Sequence, residues 1–354
     1  MVATCEKMRY LLFLISIIFC LELDAQVNNF TKPEWQVLRT HIGESSIVGL
    51  GEINHGYENI NLTKSIILNF LTNKLDFKNV IFESSFSECI ISFLQKNSFQ
   101  NRFQHFVYPF WNTSSVRNAI EPIYNKEKED NKIRLLGCDI QEDCRFLKLS
   151  EYLIKEKLIV ENLNKLSECD SILSLYIGVN RSKNGNLNAT EFTILNQNYN
   201  LILQEMQLQK KLVVEKQKLV LRCIQNRKWL CEYLTISNIN KRMKFRDSLM
   251  ADNIIWLVDE IIKNEKTIIW AASLHVAKKK NKNDKAEWMG EFLTSKFTNN
   301  YYTISIQKGK SQTSKFLKND FKIKYQSDNE RFNTLIYLTT LEKIKSIEWV
   351  IQCD

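Results

Sequence analysis

The sequence is poor in the two residues that most often end helices and strands. It has three prolines and nine glycines in 354 residues. No proline follows Pro122, and no glycine lies between Gly185 and Gly290. Because proline and glycine are the strongest local breaks in regular structure, their scarcity predicts long helices in the second half of the chain. Outside the N-terminus there is no run of about 18 apolar residues, so no internal membrane span is expected.

The sequence also lacks the motifs of several common enzyme mechanisms. It contains no Gly-x-Ser-x-Gly, no His-Glu-x-x-His and no phosphate-loop pattern. These absences disfavour a serine nucleophile elbow, a zinc-peptidase helix and a nucleotide phosphate site. There is no Cys-x-x-Cys either, which disfavours a zinc cluster or a redox pair.

The cysteines do not form an obvious disulfide set. Seven of the nine follow residue 25: Cys89, Cys138, Cys144, Cys169, Cys223, Cys231 and Cys353. An odd number cannot all pair with one another. Cys223 and Cys231 lie in a predicted helix, where the helical rise separates them by about 12 Å, too far for a disulfide. We therefore expect buried free thiols.

Residues 1–25 have the features of a secretory signal. Two basic residues precede an apolar stretch at 11–20, and Leu23-Asp24-Ala25 ends in a small residue. We expect cleavage near Ala25 and export, to the periplasm or out of the cell. A membrane anchor would need about 20 apolar residues. A lipoprotein signal is weaker, because the residue before Cys20 is bulky.

Composition is that of a folded protein without a nucleic-acid partner. Apolar residues make up 44% and charged residues 25% of the chain, and the net charge is +9. The basic excess is spread out, and its densest run, Lys278-Lys279-Lys280 with Lys282, has no interleaved aromatic residues. A solvated loop is the simpler interpretation of that run. The sequence does not indicate an oligomeric state.

Apolar runs alternate with helical periodicity from residue 47 onwards. Strands are predicted at 47–52, 80–83, 133–137, 267–271, 301–306 and 333–339. Helices are predicted at 60–75, 84–96, 116–126, 246–262 and 289–297. Continuous apolar strands are typical of a parallel sheet covered on both faces, and the alternation indicates βαβ units. The predicted fold class is α/β, a mainly parallel central sheet flanked by helices in a single domain over residues 26–354.

A long helical insertion is predicted at about 146–240. Leu195, Tyr199, Ile202 and Met206 follow the helical repeat, and residues 208–234 continue it. We expect paired helices that form either a structural cap on the sheet or a lid that selects the substrate. A separate aromatic loop at 104–112 is expected to line a cleft.

Four predicted strands end in side chains suited to acid–base chemistry. They present Glu52 with His55, then Glu83, Asp139 and His275. Because ligands bind beyond the carboxyl ends of parallel strands, we expect these side chains to share one edge. Carboxylates there can hold His55 as a general base for water. A second mechanism stays open, since Glu52, His55, Glu83 and His275 could ligate a divalent metal such as zinc. No other cofactor is expected.

The strand ends belong to a longer ordered set of segments: Gly51 to Gly56 (Gly-Glu-x-x-His-Gly), Lys64 in the next helix, Phe82-Glu83, Gly137 to Gln141 (Gly-x-Asp-x-Gln), Arg246 to Asn253 (Arg-Asp-x-x-Met-x-x-Asn), Trp270 to Val276 and Met289-Gly290. In this order, the segments resemble those of the erythromycin esterase family. The resemblance spans about residues 48–306. It implies an erythromycin esterase-like fold with a helical insertion and a hydrolase of a small carboxylic ester or lactone. In members linked to antibiotic resistance that substrate is a macrolide.

The resemblance also implies roles for individual residues. His55 would be the general base, with Glu52, Glu83, Arg246 and His275 around the carbonyl, the last two stabilising the oxyanion. Residues expected to contact the substrate are Lys64, Trp111, Asp139 and Asn253.

One departure from the family pattern weakens the macrolide interpretation. Where the family usually has His-Asn on the fourth strand, this sequence has Ala272-Ser273. A missing imidazole near the scissile bond would remove an acid or electrophilic role. It motivates a further alternative, a non-catalytic protein that binds a small ligand or haem on the same scaffold.

Overall fold

The computed structural model describes residue 30 and the ranges 33–143, 145–177, 185–263, 265–281, 284, 286–308, 322–325 and 331–338. The predicted signal segment at 1–25 lies outside these residues, as do Cys144, Lys282, Thr339 and Cys353.

A seven-stranded sheet is the centre of the fold. Its strands are β1 (Ile47–Glu52), β2 (Phe77–Ser85), β3 (Leu135–Asp139), β4 (Lys266–Ala272), β5 (Tyr301–Lys308), β6 (Lys322–Tyr325) and β7 (Thr334–Leu338). Their order in the sheet is β3-β2-β4-β1-β5-β7-β6. All neighbouring pairs are parallel except β6 with β7, which is antiparallel. The predicted α/β class with a mainly parallel sheet is confirmed.

Helices follow most of the strands. In chain order they are α1 (Pro33–Ile42), α2 (Glu58–Leu75), α3 (Phe86–Leu94), α4 (Phe99–Phe106), α5 (Ser114–Asp130), α6 (Lys148–Lys155), α7 (Leu163–Ser174), α8 (Ala189–Gln207), α9 (Val214–Thr235), α10 (Ile239–Trp256), α11 (Ser273–Val276) and α12 (Met289–Phe297). Short 3-10 turns cover Pro109–Trp111 and Thr298–Asn300, and a π-helical segment covers Leu257–Ile262. Among the described residues, no helix combines the length and apolar character that a bilayer crossing requires.

Hydrophobic cores lie on both faces of the sheet, as its continuous apolar strands require. One core joins Ile81 and Leu136 of the sheet to Leu195 and Leu230 of the helices between β3 and β4. The other joins Leu50 and neighbouring strand residues to helices α1, α2, α4 and α5. The described cysteines Cys89, Cys138, Cys169, Cys223 and Cys231 are buried free thiols, as expected.

Helices α6 to α9 occupy the region predicted as an insertion. Helix α8 packs beside α9, and α9 packs on α3 at the edge of the sheet. Their apolar residues share one core with the sheet. The division of the chain into a signal and one domain with an insertion stays a prediction.

Strand β1 has a close neighbour that its glycines make possible. A Cβ atom on Gly51 would lie 2.6 Å from the Ser273 Cα atom and 2.6 Å from Val276 Cγ2. Because β1 has no side chain there, helix α11 lies directly against it. This contact places the end of β4 beside the end of β1.

The structure differs from the sequence-based prediction in several connections. Residues 104–112, predicted as a loop, begin inside α4 and include the 3-10 turn at Pro109–Trp111. Ser98 caps α4 by accepting from the backbone N–H of Asn101 at 3.5 Å, and three buried side chains support the helix: Arg102, Phe103 and Phe106. The predicted helix over 208–234 begins only at Val214. Strand β6 was not predicted.

Candidate active site

The four predicted strand ends meet at one edge because β3, β2, β4 and β1 are consecutive in the sheet. Glu52 lies opposite Ala272 of β4, and Ser85 of β2 lies opposite Asp139. We call this edge the rim and define it by Glu52, His55, Glu83, Asp139, Arg246 and His275. Its side chains form two separate networks, one around Glu52 and one around Glu83.

Glu52 is the centre of the first network. It is 1% exposed, and its Oε1 atom accepts from Trp111 Nε1 at 2.8 Å. The same oxygen lies 2.9 Å from His55 Nδ1, and Oε2 accepts from the Lys64 ammonium. A carboxylate surrounded by these donors acts only as an acceptor. His55 therefore carries its proton on Nδ1 and keeps a lone pair on Nε2.

The His55 ring reaches solvent from a supported position. Its side chain is 41% exposed, and within the described residues Nε2 has no hydrogen-bond partner. The ring packs against Phe110 with 4.3 Å between centroids. The turn that carries it ends at Gly56, whose φ of +81° is accessible to glycine at little cost.

Lys64 lies beneath Glu52 rather than at the surface. It is 0% exposed, and its ammonium also donates to the Ala271 carbonyl at 3.2 Å. The Trp270 ring centroid is 4.2 Å from Nζ. Burial lowers the pKa of Lys64, and the adjacent Glu52 carboxylate opposes that change. Lys64 can therefore hold the Glu52 carboxylate in place.

Replacing Trp111 by phenylalanine is expected to remove one of the donors to Glu52. A hydrogen bond to a charged group contributes about 1.5–3 kcal/mol, so the free energy of unfolding should fall by about that amount. Chemical denaturation measures it. Trp270→Phe is the matched control, because the Trp270 Nε1 atom is buried without a hydrogen-bond partner in the described structure. An equal loss in both variants would show that the Trp111–Glu52 bond contributes nothing.

His275 is the centre of the second network. Its Nε2 atom lies 3.1 Å from Glu83 Oε1, and its Nδ1 atom lies 2.6 Å from Asp247 Oδ1. Asp247 also accepts from the backbone N–H of Met289 at 2.9 Å. Both ring nitrogens of His275 thus face carboxylates, as an imidazolium requires.

The charges of this network depend on one another. Burial opposes the charged form of His275, but the Glu83 and Asp247 carboxylates raise the pKa of His275 to about 10. Burial would raise the pKa of Glu83, but His275 and Arg246 hold it well below its usual range. His275 is therefore a cation at neutral pH and is unsuited to act as the general base.

The protonation of His275 predicts a pH-dependent stability. Because its pKa is about 10 in the folded state and about 6.5 when unfolded, its contribution is fully present below about pH 6.5. That contribution is lost as the pH rises towards 10, with a slope of at most about 1.4 kcal/mol per pH unit. Denaturation of the wild type and His275→Gln at several pH values measures it. A difference between the two proteins that stays constant from pH 6 to 10 would contradict a charged His275.

Arg246 joins the ends of β2 and β3. Its Nη2 atom lies 3.0 Å from Glu83 Oε1 and 2.5 Å from Asp139 Oδ2, and Nε is 3.0 Å from Asp139 Oδ1. Burial opposes its charge, but the two carboxylates raise the pKa of Arg246. Within the described residues, Nη1 has no hydrogen-bond partner. That nitrogen is the donor available to an incoming group.

The four further side chains expected to contact the substrate are buried, and that expectation stays a prediction. Lys64, Trp111, Asp139 and Asn253 are each at most 1% exposed. Asn253 donates to the Cys138 carbonyl at 2.9 Å and ties α10 to β3. Each of the four contacts a neighbouring protein group and supports the rim from behind.

The unusual Ala272-Ser273 pair has a structural role. The Ala272 backbone N–H donates to Glu83 Oε2 at 3.0 Å. The Ser273 hydroxyl is buried and lies 2.6 Å from the Ser305 hydroxyl. The Glu83 network is therefore complete without a histidine or an asparagine at these two positions.

Sequence reasoning missed three residues of the site. Asp247, which holds His275, lies in the Arg-Asp helix motif and could have been found there. Trp270 packs over Lys64, and its position beside a strand end was the available signal. Tyr108 stacks on Phe110 with 5.3 Å between ring centroids; it lies in the aromatic segment 104–112 that was expected to line a cleft, but it was not singled out there.

The four predicted metal ligands do not converge. Among the residues that the structure describes, no three His, Cys, Asp or Glu side chains are arranged to hold a metal ion. Glu52 and His55 belong to one network, and Glu83 and His275 belong to the other. The donor arrangement instead suits proton transfer at His55 in the first network, with a cationic Arg246 in the second.

A family comparison covers most of the chain. A family model described as Erythromycin esterase matches residues 73–328. The match includes Glu83, Asp139, Arg246 and His275, and it begins after the segment that carries Glu52 and His55.

Individual proteins are similar over much of their length. A Bacillus subtilis (strain 168) protein named "Putative hydrolase YbfO" is 22% identical over 312 residues, 80% of this chain and 69% of that protein. A crystal structure described as a succinoglycan biosynthesis protein has a TM-score of 0.64 at 18% identity, with 88% of this chain and 92% of that chain covered. A mutant of erythromycin esterase EreC in its open conformation has a TM-score of 0.63 at 16% identity, with 89% of this chain and 80% of that chain covered. The structural matches show a shared fold.

Proposed function

Because the chain belongs to the erythromycin esterase family, we propose that it is a carboxylic-ester hydrolase in which His55 activates a water molecule. The family and the hydrolase relative support hydrolysis in general. The observation that carries the finer proposal is the half-exposed His55 ring, whose Nδ1 atom is fixed by buried Glu52 while Nε2 stays unpartnered among the described residues.

In the first step, His55 Nε2 accepts a proton from water as the water oxygen attacks the ester carbonyl. Glu52 stabilises the imidazolium that forms, as the carboxylate does in other histidine-based hydrolases. Lys64 and Trp111 keep Glu52 in position through their bonds to its two oxygens. A general base of this kind contributes about 10²–10⁴-fold to the rate.

The negative charge on the carbonyl oxygen then needs a donor. Arg246 supports this role, because Nη1 has no partner in the described structure while Nε and Nη2 are held by carboxylates. The expectation that His275 donates directly is revised, since both of its ring nitrogens face Glu83 and Asp247. We assign His275 to positioning Glu83, which in turn binds Arg246.

Collapse of the tetrahedral intermediate completes the reaction. The carbon–oxygen bond to the alcohol breaks, and His55 returns its proton from Nε2 to the departing alkoxide. The products are a carboxylic acid and an alcohol, or a hydroxy acid from a lactone. No enzyme nucleophile and no oxidant is needed.

A chelator is expected to leave turnover unchanged. Because no three suitable side chains converge within the described residues, we propose that the reaction needs no divalent metal. Ester hydrolysis before and after exhaustive treatment with EDTA tests this, with metal content measured in the same sample. Loss of activity that returns on adding zinc or manganese would support the metal-dependent alternative.

An ester panel tests the proposed function. Simple alkyl, aryl and glycosyl esters, lactones and macrolides would be incubated with the purified protein, and mass spectrometry would detect the gain of one water. We expect hydrolysis of at least one non-macrolide ester, because the Ala272-Ser273 segment departs from the macrolide-hydrolysing pattern. Absence of hydrolysis across the panel would favour a binding protein for a small ligand or haem.

We also propose that the protein is exported, on the strength of the basic, apolar and small-residue pattern of residues 1–25. The protein recovered from the periplasm or the culture medium should begin at Gln26 when its N-terminus is sequenced. An intact N-terminus in the cytoplasm would contradict export.

A further inference from the structure

A cavity of about 200 Å³ lies beside the rim. The end of β2, the segment after β3 and helix α9 form its walls. Its lining includes Ser84, Ser85, Tyr108, Gln141, Leu230 and Leu234. The cavity therefore lies between the sheet and the helices that were predicted to cap it.

The cavity is continuous in sequence with the site. Ser84 directly follows Glu83, and Gln141 is two residues beyond Asp139. Tyr108 lies between the two regions, with its ring centroid 5.8 Å from that of Trp111. In the described structure the Tyr108 hydroxyl has no hydrogen-bond partner, so it can bind a group that enters the cavity.

One end of the cavity is polar, and its charged groups Asp143 and Arg145 are paired with each other. Burial, together with the nearby Asp143 carboxylate, raises the pKa of Glu88 to about 8. Burial and the Arg145 cation lower the pKa of His105 to about 4. His105 Nδ1 lies 3.5 Å from Glu88 Oε2, and it is buried without a hydrogen-bond partner in the described structure. Glu88 and His105 both line this end of the cavity.

The cation at the polar end of the cavity, Arg145, already has partners. Arg145 Nη2 donates to Asp143 Oδ2 at 2.6 Å, and Nε lies 3.1 Å from Glu88 Oε2. Its third nitrogen donates to the Gln104 carbonyl. With every nitrogen of Arg145 engaged, the cavity offers little to a carboxylate or phosphate. A cation gains little either, because Asp143 is paired with Arg145 and the lining carboxylate Glu142 is paired with Arg227.

The opposite end is apolar and aromatic. Ile177, Leu230 and Leu234 line it together with the rings of Tyr176 and Tyr233. An engineered apolar cavity of about 150 Å³ holds benzene, whereas drug-sized ligands need about 300–1,000 Å³. A volume near 200 Å³ therefore fits one six-membered ring with its substituents.

We propose that this cavity binds an uncharged, hydroxyl-bearing six-membered ring, of sugar or cyclitol size, that the ester substrate carries next to its scissile bond. The inference rests on the proposed function for the ester, but the ring site itself can be tested without turnover. Hydroxyl groups of the ring would bond to His105, Glu88 and Tyr108, and its less polar face would pack on Leu230 and Leu234.

Binding of the ring is measured by nuclear magnetic resonance of the histidine side chains. The chain has only four histidines, so the His105 signals can be assigned with a His105→Gln variant. Titration with methyl glucoside and myo-inositol should shift His105 saturably, with a dissociation constant of about 1 mM for a group of this size. Tyr108→Phe should weaken binding about 2- to 10-fold. Preferential binding of cyclohexanecarboxylate or cyclohexylammonium would overturn the proposal.

Turnover provides the second test. The ratio of kcat/KM for a glucose acetate to that for ethyl acetate should be about tenfold or more, given two or three added hydrogen bonds. Leu234→Trp, which fills the cavity, should bring that ratio towards one. Leu201→Trp is the matched control, because Leu201 is 38% exposed on α8 outside the cavity. An unchanged ratio in a folded Leu234→Trp protein would contradict the ring site.

The two proposals fail in different ways. If both acetates are hydrolysed at similar kcat/KM and no sugar shifts His105, the ring inference is wrong and the hydrolase stands. If neither acetate is hydrolysed while sugars shift His105, the hydrolase proposal is overturned and the cavity is supported as a ring-binding site.

Discussion

Replacing His55 by alanine is expected to lower kcat for ester hydrolysis by about 10²–10⁴-fold. The loss follows because Nε2 of His55 is the unpartnered, solvent-facing base in the Glu52 network. The fold should persist, because the His55 side chain is 41% exposed and its removal leaves Glu52 bonded to Lys64 and Trp111. Steady-state kinetics with circular dichroism on the same samples measure both effects.

His41→Ala is the matched control for this substitution. His41 is an exposed histidine in α1, on a helix outside the rim. Its replacement should leave kcat within about twofold of the wild-type value, because His41 lies outside the rim. Surface substitutions also rarely change stability by more than about 0.5 kcal/mol. Wild-type turnover by a folded His55→Ala protein would refute the proposed mechanism.

Replacing Arg246 by methionine is expected to affect both stability and rate. Removing one partner of a buried ion pair costs about 3–5 kcal/mol, and here Glu83 and Asp139 would be left together without their cation. Loss of an oxyanion donor lowers kcat by about 10²–10³-fold. Chemical denaturation and ester kinetics measure the two losses separately.

A double variant separates these two effects of Arg246. Glu83 keeps His275 as a partner, so adding Asp139→Asn to Arg246→Met removes the carboxylate that has lost its cation and should recover part of the lost stability. The rate should not recover, because the donor is still absent. If kcat returned with stability, Arg246 would act only through folding and the oxyanion assignment would be wrong.

The strand framework could be predicted from sequence because apolar runs and their polar ends are local features. Strand β1 was predicted at 47–52 and is observed at Ile47–Glu52. Helix α12 likewise agrees with its predicted range of 289–297. The rim followed from these assignments, since parallel strands end at one edge.

The grouping of side chains at the rim could not be predicted in the same way. Which carboxylate pairs with which cation depends on the order of the strands in the sheet. In the sheet β4 lies between β1 and β2, although it follows both of them in the sequence. The sequence-based prediction therefore grouped Glu52, Glu83 and two histidines in one cluster, whereas in the structure they belong to two networks. Burial of Lys64 also depends on packing of α2 against the sheet, which its helical pattern does not reveal.

The failure to predict the edge strand β6 has a similar cause. Strand β6 is four residues long, and within the described residues it pairs only with β7. Its sequence, Lys-Ile-Lys-Tyr, is too short for a periodic signal to separate it from a loop. Pairing with β7 therefore determines its structure.

The most direct test of the account is a single turnover in water labelled with oxygen-18, with enzyme in excess over an ester from the panel. Direct attack by water activated at His55 predicts one labelled oxygen in the acid product of the first turnover and no acyl adduct on the protein. In His55→Ala the labelled product should form about 10²–10⁴-fold more slowly. An unlabelled acid, a covalent acyl-enzyme or an equal rate in the variant would contradict it.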